Sequence, residues 1–167
     1  MAAITLDDLR KRLAPGAAQV IAYDTKTLED QGHKDTGRHI NSLKYELTFT
    51  AQGIAINFTG LKYGLALNTG VPAINVRYSY HHVIAWARRK KPGLTNREIN
   101  TFIYFMMKAH KDEGIPTEAS KRFSKTGQRT GWVDLGTEWI EANFEDLFPI
   151  DDLVDMVLDD ALAEWFA

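Results

Sequence analysis

The stretch Ser42-Leu43-Lys44-Tyr45-Glu46-Leu47-Thr48-Phe49-Thr50 alternates strictly between polar and apolar residues, and after Ala51-Gln52-Gly53 the run Ile54-Ala55-Ile56-Asn57-Phe58-Thr59 alternates again. Successive side chains of an extended strand point to opposite faces. Leu43, Tyr45, Leu47 and Phe49 therefore share one face, and Ile54, Ile56 and Phe58 share one on the next run. Two such runs joined by a short turn predict an antiparallel hairpin with one oily face, which Gly60 ends.

On either side of this pair the period becomes helical. Thr5-Leu6-Asp7-Asp8 reads as an N-cap with carboxylates in the first turn, where the helix dipole favours them. Leu6, Leu9 and Leu13 follow at helical spacing, then Pro15-Gly16, then Ala17, Val20, Ile21, Ala22 and Leu28. These two stretches form either one kinked helix or two short ones. Beyond the hairpin, Leu61 to Pro72 reads as irregular chain punctuated by Gly and Pro. Tyr80 to Lys91 predicts a short helix whose basic end, Arg88-Arg89-Lys90-Lys91, suits the negative helix terminus and is stopped by Pro92-Gly93.

Thr95-Asn96-Arg97-Glu98 matches a capping box, with Thr and Glu satisfying each other's backbone donors. The helix it opens carries Ile99, Phe102, Ile103, Met106 and His110 on one face and should stop at Gly114-Ile115-Pro116. Residues 116–136 read as a long basic loop, or a short helix within a loop, holding Lys121, Arg122, Lys125 and Arg129. Loops of that length in a compact domain are usually functional or mobile, so this one is a candidate for ordering on docking. Residues 137–167 read as two acidic amphipathic helices broken near Phe148-Pro149. Trp139, Ile140, Phe144 and Leu147 line the first, and Leu153, Val154, Val157, Leu158, Ala161, Leu162, Trp165 and Phe166 the second.

The predicted order, with consecutive strands and segregated helices, is α+β: an N-terminal helix, a hairpin or small sheet packed against helices, and acidic C-terminal helices. A chain of 167 residues that is 44% hydrophobic suits a single domain, with a core over about 5–112, the basic loop over about 116–136 and the acidic tail over 137–167. Eighteen aromatic residues argue against disorder. The absence of cysteine excludes disulfides, thiolate metal sites and thiol nucleophiles. The opening residues lack a basic region followed by an apolar core, and the longest uncharged run, Leu47 to Leu61, is 15 residues against the roughly 20 a membrane span needs. The expectation is a cytosolic protein, or one assembled into a particle in the cytosol, with no membrane partner.

The net charge of −2 conceals a marked segregation. Residues 1–76 carry 8 basic and 7 acidic groups, residues 77–131 carry 12 and 4, and residues 132–167 carry none and 11. Such polarity suits an internally paired fold or two opposite faces meeting different partners.

The motifs that usually carry chemistry are missing. His81-His82 is the one adjacent histidine pair, and neighbours on a helix or strand diverge too far to share a metal. No phosphate loop, dinucleotide fingerprint or nucleophile elbow occurs. Asp151, Asp152, Asp155, Asp159 and Asp160 suit a solvated or partner-facing helix surface better than a metal site. No catalytic, cofactor or metal residue is expected.

Thr36-Gly37-Arg38 leading to Ser42-Leu43 and an alternating strand, a hairpin, and then Lys62-Tyr63-Gly64 with Leu67-Asn68-Thr69-Gly70-Val71-Pro72, resembles the tail-completion (neck, head–tail joining) proteins of long-tailed bacteriophages over about residues 17–92. Asn68 stands where that family usually has an acidic residue. The resemblance implies a non-enzymatic virion protein assembled in the host cytoplasm. It would be a homo-oligomeric ring at the head–tail interface, among portal-adaptor, neck and tail proteins, through which DNA passes. On that reading the candidate interface residues are Tyr63, Asn68, Arg88, Arg89, Lys90, Lys91, Lys121, Arg122, Lys125, Arg129, Asp151, Asp152, Asp155 and Asp159. The basic cluster would meet an acidic neighbour, and the aspartates would face a partner or a channel that repels DNA phosphate. Two other functions compete: a nucleic-acid-binding accessory protein using the basic 77–131 segment, and a metal-dependent hydrolase using the acidic tail.

Overall fold

The computed structural model describes residues 5–33, 36–50, 53–155 and 158. Its first element settles the alternative left open at Pro15-Gly16: a single helix, α1, runs through both from Leu6 to Asp30. Thr5 and Asp8 form a capping box at its start. Pro15 is exposed, while Gly16 is buried where the backbone of Leu147 crosses, close enough to exclude a β-carbon. The pair that resembles a helix break is thus a crossing point, and the missing proline N–H is accommodated on the solvent side.

Strands β1 (Lys44–Thr50) and β2 (Gly53–Thr59) pair antiparallel, with Tyr45 opposite Phe58, Leu47 opposite Ile56 and Phe49 opposite Ile54. The sheet has these two strands. A lone hairpin is marginal in water, and this one rests its apolar face on α1. Tyr45, Leu47 and Ile56 pack against a core of Leu13, Ala17, Val20, Leu147, Phe148 and Leu153. Burying a side chain such as Leu13 stabilises by about 1.5–3 kcal/mol, so α1 and the hairpin stabilise each other. Residues 51–52 of the turn lie outside the described set.

The chain from Leu61 to Pro72 is not irregular as its composition suggests. It contains a short helix, α2 (Tyr63–Thr69), that buries Gly64 and none of its larger side chains, and so leaves no apolar periodicity in the sequence. Helices α3 (Tyr80–Lys90) and α4 (Asn96–Glu113) follow, the latter opened by the Thr95–Glu98 capping box. They form a second core of their own from Val83, Ala87, Ile99 and Ile103, flanked by Trp86, Phe102 and Met106. This pair joins the main body at a bridge between Val71 and Ile115, whose backbone bonds are 2.6 and 2.8 Å, and the Tyr78 hydroxyl meets His110 Nδ1 at its base.

The segment 116–136 also differs from its sequence reading. Glu118–Phe123 is a 3-10 helix, and α5 (Trp132–Ala142) begins five residues earlier than the tail helix expected from Thr137. After α5 comes a single turn, α6 (Phe144–Leu147), and residues 150–155 are helical again past Pro149. Leu153 is buried there, whereas Val154 and Leu158 are exposed rather than core-lining. The expected core positions Val157, Ala161, Leu162, Trp165 and Phe166 lie outside the described residues. The fold is α+β, a small antiparallel hairpin packed against several helices.

Candidate functional site

The segments on either side of the hairpin, Thr36-Gly37-Arg38 and Lys62-Tyr63-Gly64, meet at one side chain, His39. Thr36-Gly37-Arg38 leads into His39, which caps the 3-10 turn Ile40–Ser42 at the hairpin entrance. Across the hairpin, Gly60 and Gly64 lie against the His39 ring with no room for a β-carbon at position 64. Ser42 locks this junction, because its hydroxyl donates to His39 O (2.6 Å) and accepts from Leu61 N (3.1 Å). Tyr63 tilts over the imidazole with ring centroids 5.1 Å apart, and Trp132 meets it edge-on at 5.5 Å.

Helix α5 is seated on the same junction by α2. Trp132 Nε1 donates to Gly64 O (3.1 Å) in a buried bond. Asn68 accepts twice at the start of α5, through Oδ1 from Val133 N (2.8 Å) and through its carbonyl from Gly131 N (2.7 Å). Gly131 has a positive φ of 75° and no side chain to cap the helix, so Asn68 supplies the cap from a distant part of the chain.

Below this junction lies a cavity of about 240 Å³ between α1, the hairpin exit and α5. Its walls are mostly apolar, with Val20, Ile21, Leu65 and Ile140 among them, and two titratable side chains reach it, Asp24 and His39. Both are buried, at 9% and 4% exposure. Asp24 Oδ1 and both ring nitrogens of His39 have no hydrogen-bond partner among the described residues. Burial pushes the Asp24 carboxyl up to about 6 and lowers the His39 imidazole below its usual range. Because neither ring nitrogen is bonded, Asp24 and His39 are not an acid–base dyad in this state. Tyr63, Arg38 and His39 also line a second cavity, of about 280 Å³.

Neither residue stood out in the sequence. Asp24 left one trace, since Leu13, Ala17, Val20, Asp24 and Leu28 are buried at spacings of three and four along α1, and a carboxylate inside an apolar stripe is out of place. His39 left none, because its burial comes from glycines that lie beyond the hairpin.

The basic residues singled out from sequence lie on separate elements, the end of α3 and the segment that leads into α5. Arg88, Arg89, Lys90 and Lys91 stand exposed at the C-terminal end of α3, with Arg88 Nη2 donating to Asn96 Oδ1 (3.2 Å). Lys121 pairs with Glu118 (2.7 Å), Arg122 lies over the Phe123 ring, and Lys125 pairs with Asp30 (2.7 Å). Arg129 is half-buried, donating to Ser120 O (3.3 Å) and Gly32 O (3.2 Å), with Nε unpartnered among the described residues. Asp151, Asp152 and Asp155 are exposed on the helical turn after Pro149, and Asp159 lies outside the described residues. Among the described residues no group of three or more potential metal ligands comes together, and no helix is long and apolar enough to cross a membrane. No protein-family model matches the chain, and comparison with curated proteins and with solved structures finds no match.

Proposed function

We propose that this chain is a non-enzymatic structural protein of a tailed phage, of the tail-completion type that residues 17–92 resemble. Copies join head to tail into a ring at the head–tail interface, among portal-adaptor, neck and tail proteins, with DNA passing through. The observation that supports this reading best is the α3–α4 pair. It has a separate small core, it exposes Tyr104 and Phe105 on α4, at 65% and 63%, and its other helix, α3, ends in a basic turn. Neighbouring exposed aromatic residues are characteristic of contact surfaces. Residues 132–155 carry eight carboxylates and no basic side chain, the charge complement of that turn. A head-to-tail contact needs two such unlike patches and closes into a ring when the rotation permits. Arg88, Arg89, Lys90 and Lys91 of one copy would face an acidic neighbour, while Asp151, Asp152, Asp155 and Asp159 would face a partner or the channel.

The alternative, a nucleic-acid-binding accessory protein, has less support. Of the basic residues it would use, Lys121 and Lys125 are paired within the chain and Arg129 is half-buried. Solution mass by light scattering, with and without phage-particle extract, tests the proposal. A monomer that closes into a ring, or that co-sediments with tail or capsid fractions, is the expected result. A stable monomer or dimer that ignores particles overturns it, and salt-sensitive binding to duplex DNA would then favour the accessory reading.

A further inference from the structure

We propose that copies of this chain meet through α4 of one and α5 of the next, a contact that rests on the ring reading above and gives it a defined pair of faces. Arg97, Asn100, Tyr104, Lys108 and Lys111 of α4 follow one another at successive spacings of three and four residues. At 3.6 residues per turn such a series stays within about a quarter of a turn, and it runs for about 21 Å. All five side chains are exposed, apart from Ile99 and Ile103, which the α3–α4 core buries. The stripe holds three cations, while the carboxylates of the helix, Glu98, Asp112 and Glu113, fall outside that arc.

Helix α5 presents the complement. Asp134, Glu138 and Glu141 recur at spacings of four and three, all exposed, on a side away from the buried Trp132 and Gly136. Among the described residues, none of these three carboxylates and none of Arg97, Lys108 and Lys111 forms an ion pair. Single ion pairs in solvent contribute little, so the charges select the partner and its orientation while apolar contact holds it. Tyr104 lies within the basic stripe with Phe105 edge-on to it, ring centroids 5.4 Å apart. Val133 and Phe144 are exposed at the start and just past the end of α5. Aromatic anchors among complementary charges are where interface energy concentrates.

The placement of the two faces makes the second copy the occupant. Helix α4 belongs to the α3–α4 core, whereas α5 packs against α1 in the main body. An α4–α4 or α5–α5 contact would set like charges against each other. Pairing α4 with α5 is heterologous: every dimer keeps one free basic and one free acidic face, and growth continues until the rotation closes a ring. A nucleic acid would match the α4 stripe but leave the α5 carboxylates without a counterpart. A second copy uses both.

The test follows assembly of the full chain, in solution by light scattering and on phage particles by co-sedimentation. It compares the unmodified protein with Lys108→Glu/Lys111→Glu and Glu138→Lys/Glu141→Lys. All four positions are exposed, so Tm should hardly change. Should a variant not fold, the single substitutions Lys108→Glu and Glu138→Lys serve in its place. Each variant alone should associate about tenfold or more weakly, and association of the unmodified chain should weaken with salt. An equimolar mixture of the two variants should regain assembly, because the reversed faces complement each other as the intact ones do. Undiminished assembly by either variant alone overturns this inference and leaves the ring reading standing, and so does a mixture that does not recover. Loss in the basic-face variant only, with loss of duplex DNA binding, assigns α4 to nucleic acid and overturns it as well. An unmodified chain that assembles neither in solution nor on particles overturns both.

Discussion

The backbone of Gly64 lies directly against the imidazole of His39, so close that a β-carbon at position 64 would overlap the ring at Cε1 and Nε2. This contact joins the hairpin entrance to α2, and through the Trp132–Gly64 hydrogen bond to α5. Gly64→Ala should therefore destabilise the fold by about 1–3 kcal/mol, the usual range for overpacking a filled site. Coupling identifies the cause. His39→Ala removes the obstacle, so the double variant Gly64→Ala/His39→Ala should be more stable than the sum of the two single losses. Urea denaturation of the four proteins measures this, and strict additivity would mean that the ring is not what position 64 must avoid.

Asp24 gives stability a definite dependence on pH. Burial makes its carboxyl bind a proton more tightly in the folded chain, at about 6, than at its ordinary value of 3.8. The folded state thus holds that proton where the unfolded chain has released it. The stabilisation is complete below the unfolded value and is lost as pH rises through about 6. The shift corresponds to about 3 kcal/mol. Asp24→Asn removes the titration, so stability at pH 8 should rise by about 1–3 kcal/mol and the loss attributable to Asp24 between about pH 4 and 6 should vanish. His33 and His39 act with the opposite sign, since burial lowers both, and their contribution is lost as pH falls below 6.5. The difference between unmodified and variant chains, measured by denaturation at pH 5 and pH 8, separates Asp24 from the histidines. An equal difference at both pH values would overturn the assignment.

Asn68 holds a helix that is not its own. Its Oδ1 accepts from Val133 N where Gly131 cannot cap α5. Asn68→Ala should cost about 0.5–2 kcal/mol, the range for losing a side-chain cap. Asn68→Asp should keep most of the stability, because a carboxylate oxygen can accept from the same N–H and favours the positive end of the helix. Thermal melts of the two variants distinguish this role from a purely exposed one, for which both substitutions would be nearly silent.

The same residue explains why some elements could be read from sequence and others not. The hairpin, α3 and α4 carry local signals: two alternating runs, Lys44–Thr50 and Ile54 to Thr59, a capping box at Thr95, and apolar residues at helical spacing. The start of α5 at Trp132 has no local cap, and its partner Asn68 is brought to it by tertiary structure. Helix α2 buries Gly64, so it shows no apolar stripe, and Pro15-Gly16 marks the crossing of α1 and α6 rather than an end. The candidate site was least legible. Asp24 interrupts an apolar stripe, but the burial of His39 depends on distant glycines.

The basic segment 116–131 is fastened to the end of α1. Gln31, fully buried, donates through Nε2 to Thr130 O (2.9 Å), and His33 Nε2 donates to Arg129 O (2.8 Å). Lys125 N donates to Asp30 O (2.8 Å), and Arg129 Nη2 reaches Gly32 O. The exposed Lys125–Asp30 ion pair adds little, as pairs in solvent do. The backbone and buried amide bonds carry the attachment. Hydrogen exchange on the protein alone should therefore find the Lys125 and Gly131 amides protected, and the Gln128 amide, bonded only to the exposed Thr126 hydroxyl, fast. Gln31→Ala should accelerate exchange at Lys125 and Gly131 together while leaving Ile99 and Ile103 in the α3–α4 core unchanged, because it removes the buried donor to Thr130. Fast exchange throughout 118–131 in the unmodified protein would instead mean that this segment acquires its structure only on docking.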